Sequence, residues 1–215
     1  MIKNAFPIKI WEIEYPNYDK DLFVSRHENY LKKVGTHQLN SIIADSDTTQ
    51  VPEPFYDKPI PGYTYSTGYT YSITNYEKVL NDMDMPDLWL WINKQIVKYH
   101  THCGYKIFNS SVLSVWTTSA PKGGHVTFHN HNPGITAGVF YIDAEPEQGN
   151  LYLLNPNDTA LSQIHYNHYN YQNKWYEFEV KSGKLILFPG HLYHMVPKNP
   201  TDRRRRIISF DASYY

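Results

Sequence analysis

Cysteine is almost missing from this chain: Cys103 is the only one among 215 residues. A single thiol excludes an internal disulfide framework and fits a reducing compartment. Net charge is nearly missing too, at -1. No overall basic field therefore draws in nucleic acid or anionic lipid, and neither is expected as a partner. No apolar run approaches the roughly 18 residues of a membrane span, and the opening MIKNAFPIKIWEIE lacks the apolar core of a signal peptide. Internal repeats and low-complexity tracts are absent as well. The expectation is a soluble, intracellular, cytoplasmic protein.

What is abundant is aromatic. The chain holds 20 Tyr, 9 Phe and 5 Trp, with 14 Pro and 11 Gly to punctuate them. Many aromatics and many turns favour a β-rich fold with long loops. A 41% hydrophobic and 19% charged composition is globular, and the length suits one domain over 1–215. Within it, 1–104 is expected to be a helical and irregular support and 105–215 a β-core.

Along the first half, alternation from Ile8 to Ile13 predicts an edge strand, with Pro7 at its start. A helix follows, capped by Asp19 or Asp21, with Leu22, Phe23, Arg26, Tyr30 and Leu31 along one face and Gly35 as its stop. Residues 36–73 are rich in Pro and Gly and predict irregular connections, with a short hairpin at Tyr63–Tyr71. Thr74–Glu77 has the capping-box pattern for a short helix carrying Val79 and Leu80. A longer helix is expected from Pro86 to about Cys103, presenting Leu88, Trp91, Ile92, Ile96 and Tyr99, and Gly104 ends it. After Gly104 the pattern turns to short strands: 105–116, 127–132, 136–142, 150–154, 175–180, 184–188, 194–196 and 205–211. That spacing predicts a sandwich, barrel or jelly roll.

The chemistry gathers in WTTSAPKGGHVTFHNHNPGITAGVFYI, Trp116 to Ile142, and in LILFPGHLYHMV, Leu185 to Val196. His129 and His131 are two apart on an expected strand, so both imidazoles leave the same face. Neutral imidazole suits divalent iron, zinc, copper and nickel, and an open site needs three protein ligands. Paired histidines also occur facing solvent, so spacing alone leaves both possibilities open. For a third ligand, His194 follows an apolar strand, whereas His191 sits in the Pro189–Gly190 turn and is expected to face outward. His125, four before His129, and Trp116 are expected to line the pocket. His165 and His168 fall in a polar aromatic loop. His27, His37, His100 and His102 are expected to be surface or capping residues of the helical half.

Taken together, Trp116, His129-Asn130-His131, VFYI (Val139–Ile142), Gly149-Asn150-Leu151, LFP (Leu187–Pro189), His194 and the Arg205–Asp211 strand resemble the 2-oxoglutarate/Fe(II)-dependent dioxygenases. The resemblance is to their prolyl-hydroxylase-like branch, and within it to short oxygenases common in phage and marine bacteria. It covers about Trp116 to Asp211. It implies a double-stranded β-helix, a cupin-like jelly roll that is mainly β with supporting helices. It further implies Fe(II) held by His129, His131 and His194, with 2-oxoglutarate as co-substrate gripped by Arg205 and Tyr141. Arg206 is the fallback clamp if the register slips by one. Two departures stand out. His131 occupies the place of the family's aspartate ligand, so two histidines and a carboxylate become three histidines. Ile207 stands where many relatives carry a Ser or Thr that assists the arginine.

The implied activity is hydroxylation, with O2, of a peptide, an amino acid or another small molecule, and residues 52–76 and 165–176 are the candidate lid or rim. Two alternatives remain at this point. One is a three-histidine cupin-type metalloenzyme that does not use 2-oxoglutarate. The other is a non-enzymatic jelly-roll binding or structural module.

Overall fold

Strand periodicity determines where every layer of this protein packs. A computed structural model describes residues 8–34, 65–67, 79–105, 110–131, 135–156 and 175–214. Its strands are β1 (Trp11–Glu14), β2 (Tyr65–Thr67), β3 (Ser110–Ala120), β4 (Val126–His129), β5 (Thr136–Asp143), β6 (Leu151–Leu154), β7 (Trp175–Phe178), β8 (Lys184–Pro189), β9 (His194–Val196) and β10 (Arg205–Tyr214). They form a six-stranded sheet in the order β1-β8-β5-β10-β3-β2 and a four-stranded sheet in the order β4-β9-β6-β7. All described pairings are antiparallel. The predicted mainly-β jelly roll with supporting helices is the fold observed.

The large sheet is buried on both faces, which explains why β5 and β8 read as continuous apolar runs rather than alternating ones. Even positions of β5 (Phe140, Ile142) and odd positions of β8 (Leu185, Leu187) pack against the helices, joined by Ile208 and Phe210 of β10. The opposite parities (Val139, Tyr141, Ile186, Phe188, Ile207) face the small sheet and meet Leu151, Leu153 and Phe178 there. Burying apolar area on both faces, at about 25 cal/mol per Å², holds the three layers together.

Helix α1 (Lys20–Val34) starts where the Leu22 backbone N–H donates to Asp19 Oδ1 at 3.1 Å. Helix α2 (Pro86–His102) has Pro86 at its first position, and Gly104 follows it at φ +88°. The buried face of α1 is Phe23, His27, Tyr30 and Leu31, so the expected face is corrected in three places, with Arg26 only partly buried. Leu22 is 42% exposed, and His27 is fully buried. His100 on α2 is fully buried as well, contrary to the expected surface role. His27 Nε2 lies 2.6 Å from Thr117 Oγ1 and His100 Nε2 lies 2.6 Å from Thr136 Oγ1, so a strand hydroxyl meets one nitrogen of each ring at the helix–sheet seam. His102 is exposed at the helix end, as expected.

β1 is the expected edge strand, and β3 and β10 extend beyond their expected limits. Tyr65–Thr67 pairs with β3, while the rest of the expected hairpin, the capping box, His37, His165, His168 and most of both candidate lid segments lie outside the described residues. No helix among the described residues is long and apolar enough to cross a membrane.

Candidate metal centre

β4 and β9 are short neighbours at one end of the small sheet, and they place His129 directly across the ladder from His194. Ring centroids of this cross-strand pair are 4.2 Å apart. β4 ends at His129, three residues earlier than expected, because a register shift between Val126 and His129 breaks the ladder. His131 instead anchors its backbone N–H on Gly190 O at 2.8 Å. Its ring nevertheless returns to the same point, with centroids 5.0 Å from His129 and 4.9 Å from His194. One ligand-capable nitrogen from each of the three lies within 4.8 Å of the other two.

The chemistry of the nitrogens fits a cation. His194 Nδ1 donates to Leu192 O at 3.0 Å, and His131 Nδ1 lies 2.7 Å from Asp211 Oδ1. His194 therefore carries its proton on Nδ1 and presents the Nε2 lone pair inward, where the His131 Nε2 stands 3.2 Å away. Two ligands at about 2.0–2.1 Å from one ion stand roughly 2.9–3.4 Å apart for octahedral to tetrahedral angles. Burial, with the neighbouring imidazoles next, holds His194 well below the usual histidine range, which keeps it neutral and able to ligate. Trp116 stacks on His131 at 5.4 Å and 14°, and Phe188 meets His194 edge-on at 4.9 Å.

These rings form one end of a cavity also lined by Thr118, Ala137, Val139, Leu151, Val196 and Ile207, with Tyr141 and Arg205 on the same wall. β10 alternation turns Arg205, Ile207 and Ser209 into it. Arg205 is 2% exposed. Its Nη1 donates to the backbone carbonyls of Gln148 and Gly149, and among the described residues no carboxylate pairs with it. Burial pulls this guanidinium down to about 10, and the same burial pushes the Tyr141 phenol up. Gly149 is required beside it: at φ +103° a Cβ there would meet Arg205 Nη1 and Pro197 O, each at 2.9 Å.

The neighbouring arginines face away. Arg206 pairs with Asp143 at 2.8 Å and Glu28 at 2.6 Å, Arg203 pairs with Glu147, and Arg204 donates to Ser119. His191 is exposed in its turn. His125 is the correction: it lies ahead of the bulge, outside the cavity wall, with Nδ1 donating to Gly123 O at 3.0 Å. Sequence reasoning assigned no role to Asp211, which sits beside His131. Its position six residues after Arg205, on the same strand parity, was the available signal.

Residues 114–211 match the sequence profile of a family described as "Putative 2OG-Fe(II) oxygenase". Over that stretch the chain is similar to the 2OG-Fe(II) oxygenases. The description of that family names Fe(II) and 2-oxoglutarate as what its oxygenases use. No curated protein matches it in sequence. Among solved structures it resembles a Pseudomonas putida prolyl-4-hydroxylase at 11% identity and TM-score 0.52, covering 96% of this chain and 94% of that one. It also resembles AviO1 from Streptomyces viridochromogenes Tue57, at 9% identity and TM-score 0.58 over 96% and 90% of the two chains. A third is the non-heme α-ketoglutarate-dependent epimerase SnoN from nogalamycin biosynthesis, at 8% identity and TM-score 0.57 over 96% and 81%. At such identities the likeness is one of fold. A prolyl hydroxylase and an epimerase share it, so the fold does not choose the reaction.

Proposed function

We propose that this oxygenase hydroxylates a peptide, an amino acid or another small molecule, with Fe(II) held by His129, His131 and His194. Arg205 and Tyr141 hold the far carboxylate of 2-oxoglutarate. The observation that supports this most is the cavity itself, with three converging imidazoles at one end and, at the other, a buried guanidinium that no carboxylate among the described residues pairs with. A buried unpaired charge is costly, and a dicarboxylate entering the cavity supplies the missing anion. The planar guanidinium can grip that carboxylate with two parallel charge-assisted hydrogen bonds, which a lysine cannot reproduce.

When bound, Fe(II) and 2-oxoglutarate supply the oxidation of substrate by O2, with succinate and CO2 as co-products. The chain's own residues do the positioning. Leu192 O fixes the His194 tautomer, the Gln148 and Gly149 carbonyls aim Arg205, and the Tyr141 phenol is a neutral donor at working pH. Ala137, Val139, Leu151, Phe188 and Val196 exclude water from the space between. Ile207 brings no hydroxyl to the arginine. Thr118, its partner across the β10–β3 ladder, also lines the cavity and is the second contact in this proposal.

The three-histidine set also favours a second reading, a metalloenzyme that does not use 2-oxoglutarate. The two separate on one assay. Purified protein given Fe(II), 2-oxoglutarate and air is expected to release succinate, and Arg205→Ala to suppress that release. Iron binding without succinate release overturns the 2-oxoglutarate reading and leaves the second.

A further inference from the structure

β10 carries a charge polarity along its inward face. Arg205, Ile207 and Ser209 line the cavity in alternation, and Asp211 is the next residue of the same parity, at the histidine end. A register shift between Asp211 and Ala212 in the pairing with β3 marks the place, and such bulges re-aim side chains. The carboxylate is held on both sides. Oδ2 accepts from Ser114 Oγ at 3.0 Å, and Ser114 is its opposite residue on β3. Oδ1 is buried 2.7 Å from His131 Nδ1. The ring N–H is not aligned on that oxygen, so the contact is one of charge and proximity, and Oδ1 has no aligned hydrogen-bond donor.

We propose that Asp211 is a positioning residue that returns, through the His131 ring, the negative charge that a carboxylate ligand would have given the metal directly. This rests on the proposed three-histidine metal site. A centre built on two histidines and a carboxylate carries one negative ligand, and a third neutral imidazole removes it. A carboxylate at the far nitrogen of a ligating imidazole fixes its tautomer, orients the ring and raises its basicity, and loss of such a partner costs about 10–100-fold in metal affinity. His131 Nδ1 lies against a carboxylate, whereas His194 Nδ1 is met by the backbone carbonyl of Leu192. The chain's departure at position 131 and the carboxylate at position 211 are thus two halves of one arrangement.

The test is an equilibrium titration of the full chain with Co(II), read by its visible absorption and without co-substrate, alongside thermal melting of the apo forms. Asp211→Asn is expected to weaken Co(II) binding about 10–100-fold and to change the absorption band. The same change made together with His131→Asp is expected to cost nothing, because the charge then sits on the ligand itself. Ser114→Ala, which frees only the other carboxylate oxygen, is expected to weaken binding several-fold, and it serves if Asp211→Asn does not fold. Equal losses in both backgrounds, or Co(II) binding unchanged in Asp211→Asn or Ser114→Ala, overturn the proposal and leave the metal site standing. A wild-type protein that binds no Co(II) overturns the metal site, and this inference with it.

Discussion

Histidine is buried in two parts of this molecule, and the two burials have opposite chemistry. At the helix–sheet seam, His27 and His100 are fully inaccessible, and each offers Nε2 to a threonine hydroxyl at 2.6 Å. In the cavity, His131 and His194 turn their Nε2 atoms toward one another at 3.2 Å, with His194 Nδ1 donating to Leu192 O and His131 Nδ1 beside Asp211. Burial alone does not separate the two groups. It lowers His27 to about 3, His100 to about 4 and His194 well below its ordinary value. What separates them is where the second nitrogen goes: a ring capped on Nε2 is structural, and rings with converging Nε2 lone pairs can share a cation.

The largest way to break this comparison is to delete one converging ring. His194→Ala is expected to lower metal affinity by more than about 100-fold, since one of the three proposed ligands is gone. Saturating metal should raise the melting temperature of the wild type and leave that of the variant unmoved, because only a native state that binds is stabilised. His27→Gln should do the reverse, leaving metal affinity within error while lowering stability by about 1–3 kcal/mol through the buried hydroxyl partner.

The next effect sharpens the contrast between the cavity's two ends. Arg205→Lys is expected to weaken 2-oxoglutarate binding about 10–100-fold through loss of the two-pronged contact, with metal affinity unchanged. Isothermal titration of both ligands checks it.

Acid is the third probe. His27 titrates near 6.5 unfolded and about 3 folded, so its contribution is fully present above pH 6.5. Below that the unfolded state takes the proton first, and stability falls by about 1.4 kcal/mol per pH unit as pH drops toward 3. His27→Gln removes that slope, which denaturant melts at pH 7.5 and 5 measure. Gly149→Ala is the smallest change. It should cost about 1–2 kcal/mol for a side chain in the left-handed region and displace Arg205, so 2-oxoglutarate binding weakens modestly.

Much of the site was legible because it obeys strand parity. His129 and His194 follow from strand spacing and from the apolar run before His194, whereas Arg205, with Arg206 as its fallback, came from the family resemblance, with which strand alternation agrees. His131 was found by a spacing that assumed two more residues of strand than β4 possesses, and a backbone contact to Gly190 restores the convergence. His125 failed because the same bulge breaks the four-residue spacing. His27 and His100 failed because their partners are 90 and 36 residues away. Their helical phase held a clue, since His27 lies four after Phe23 and His100 four after Ile96, both on apolar faces. Asp211 continues the inward row from Arg205, yet only the fold brings it to His131.

The account stands on one cavity serving a metal at one end and a dicarboxylate at the other. Anaerobic addition of Fe(II) and 2-oxoglutarate together tests this directly. A visible charge-transfer band is expected with both present, absent with either alone, lost in His129→Ala, and shifted to much higher 2-oxoglutarate concentration in Arg205→Ala. Iron bound with no band at any 2-oxoglutarate concentration would contradict it.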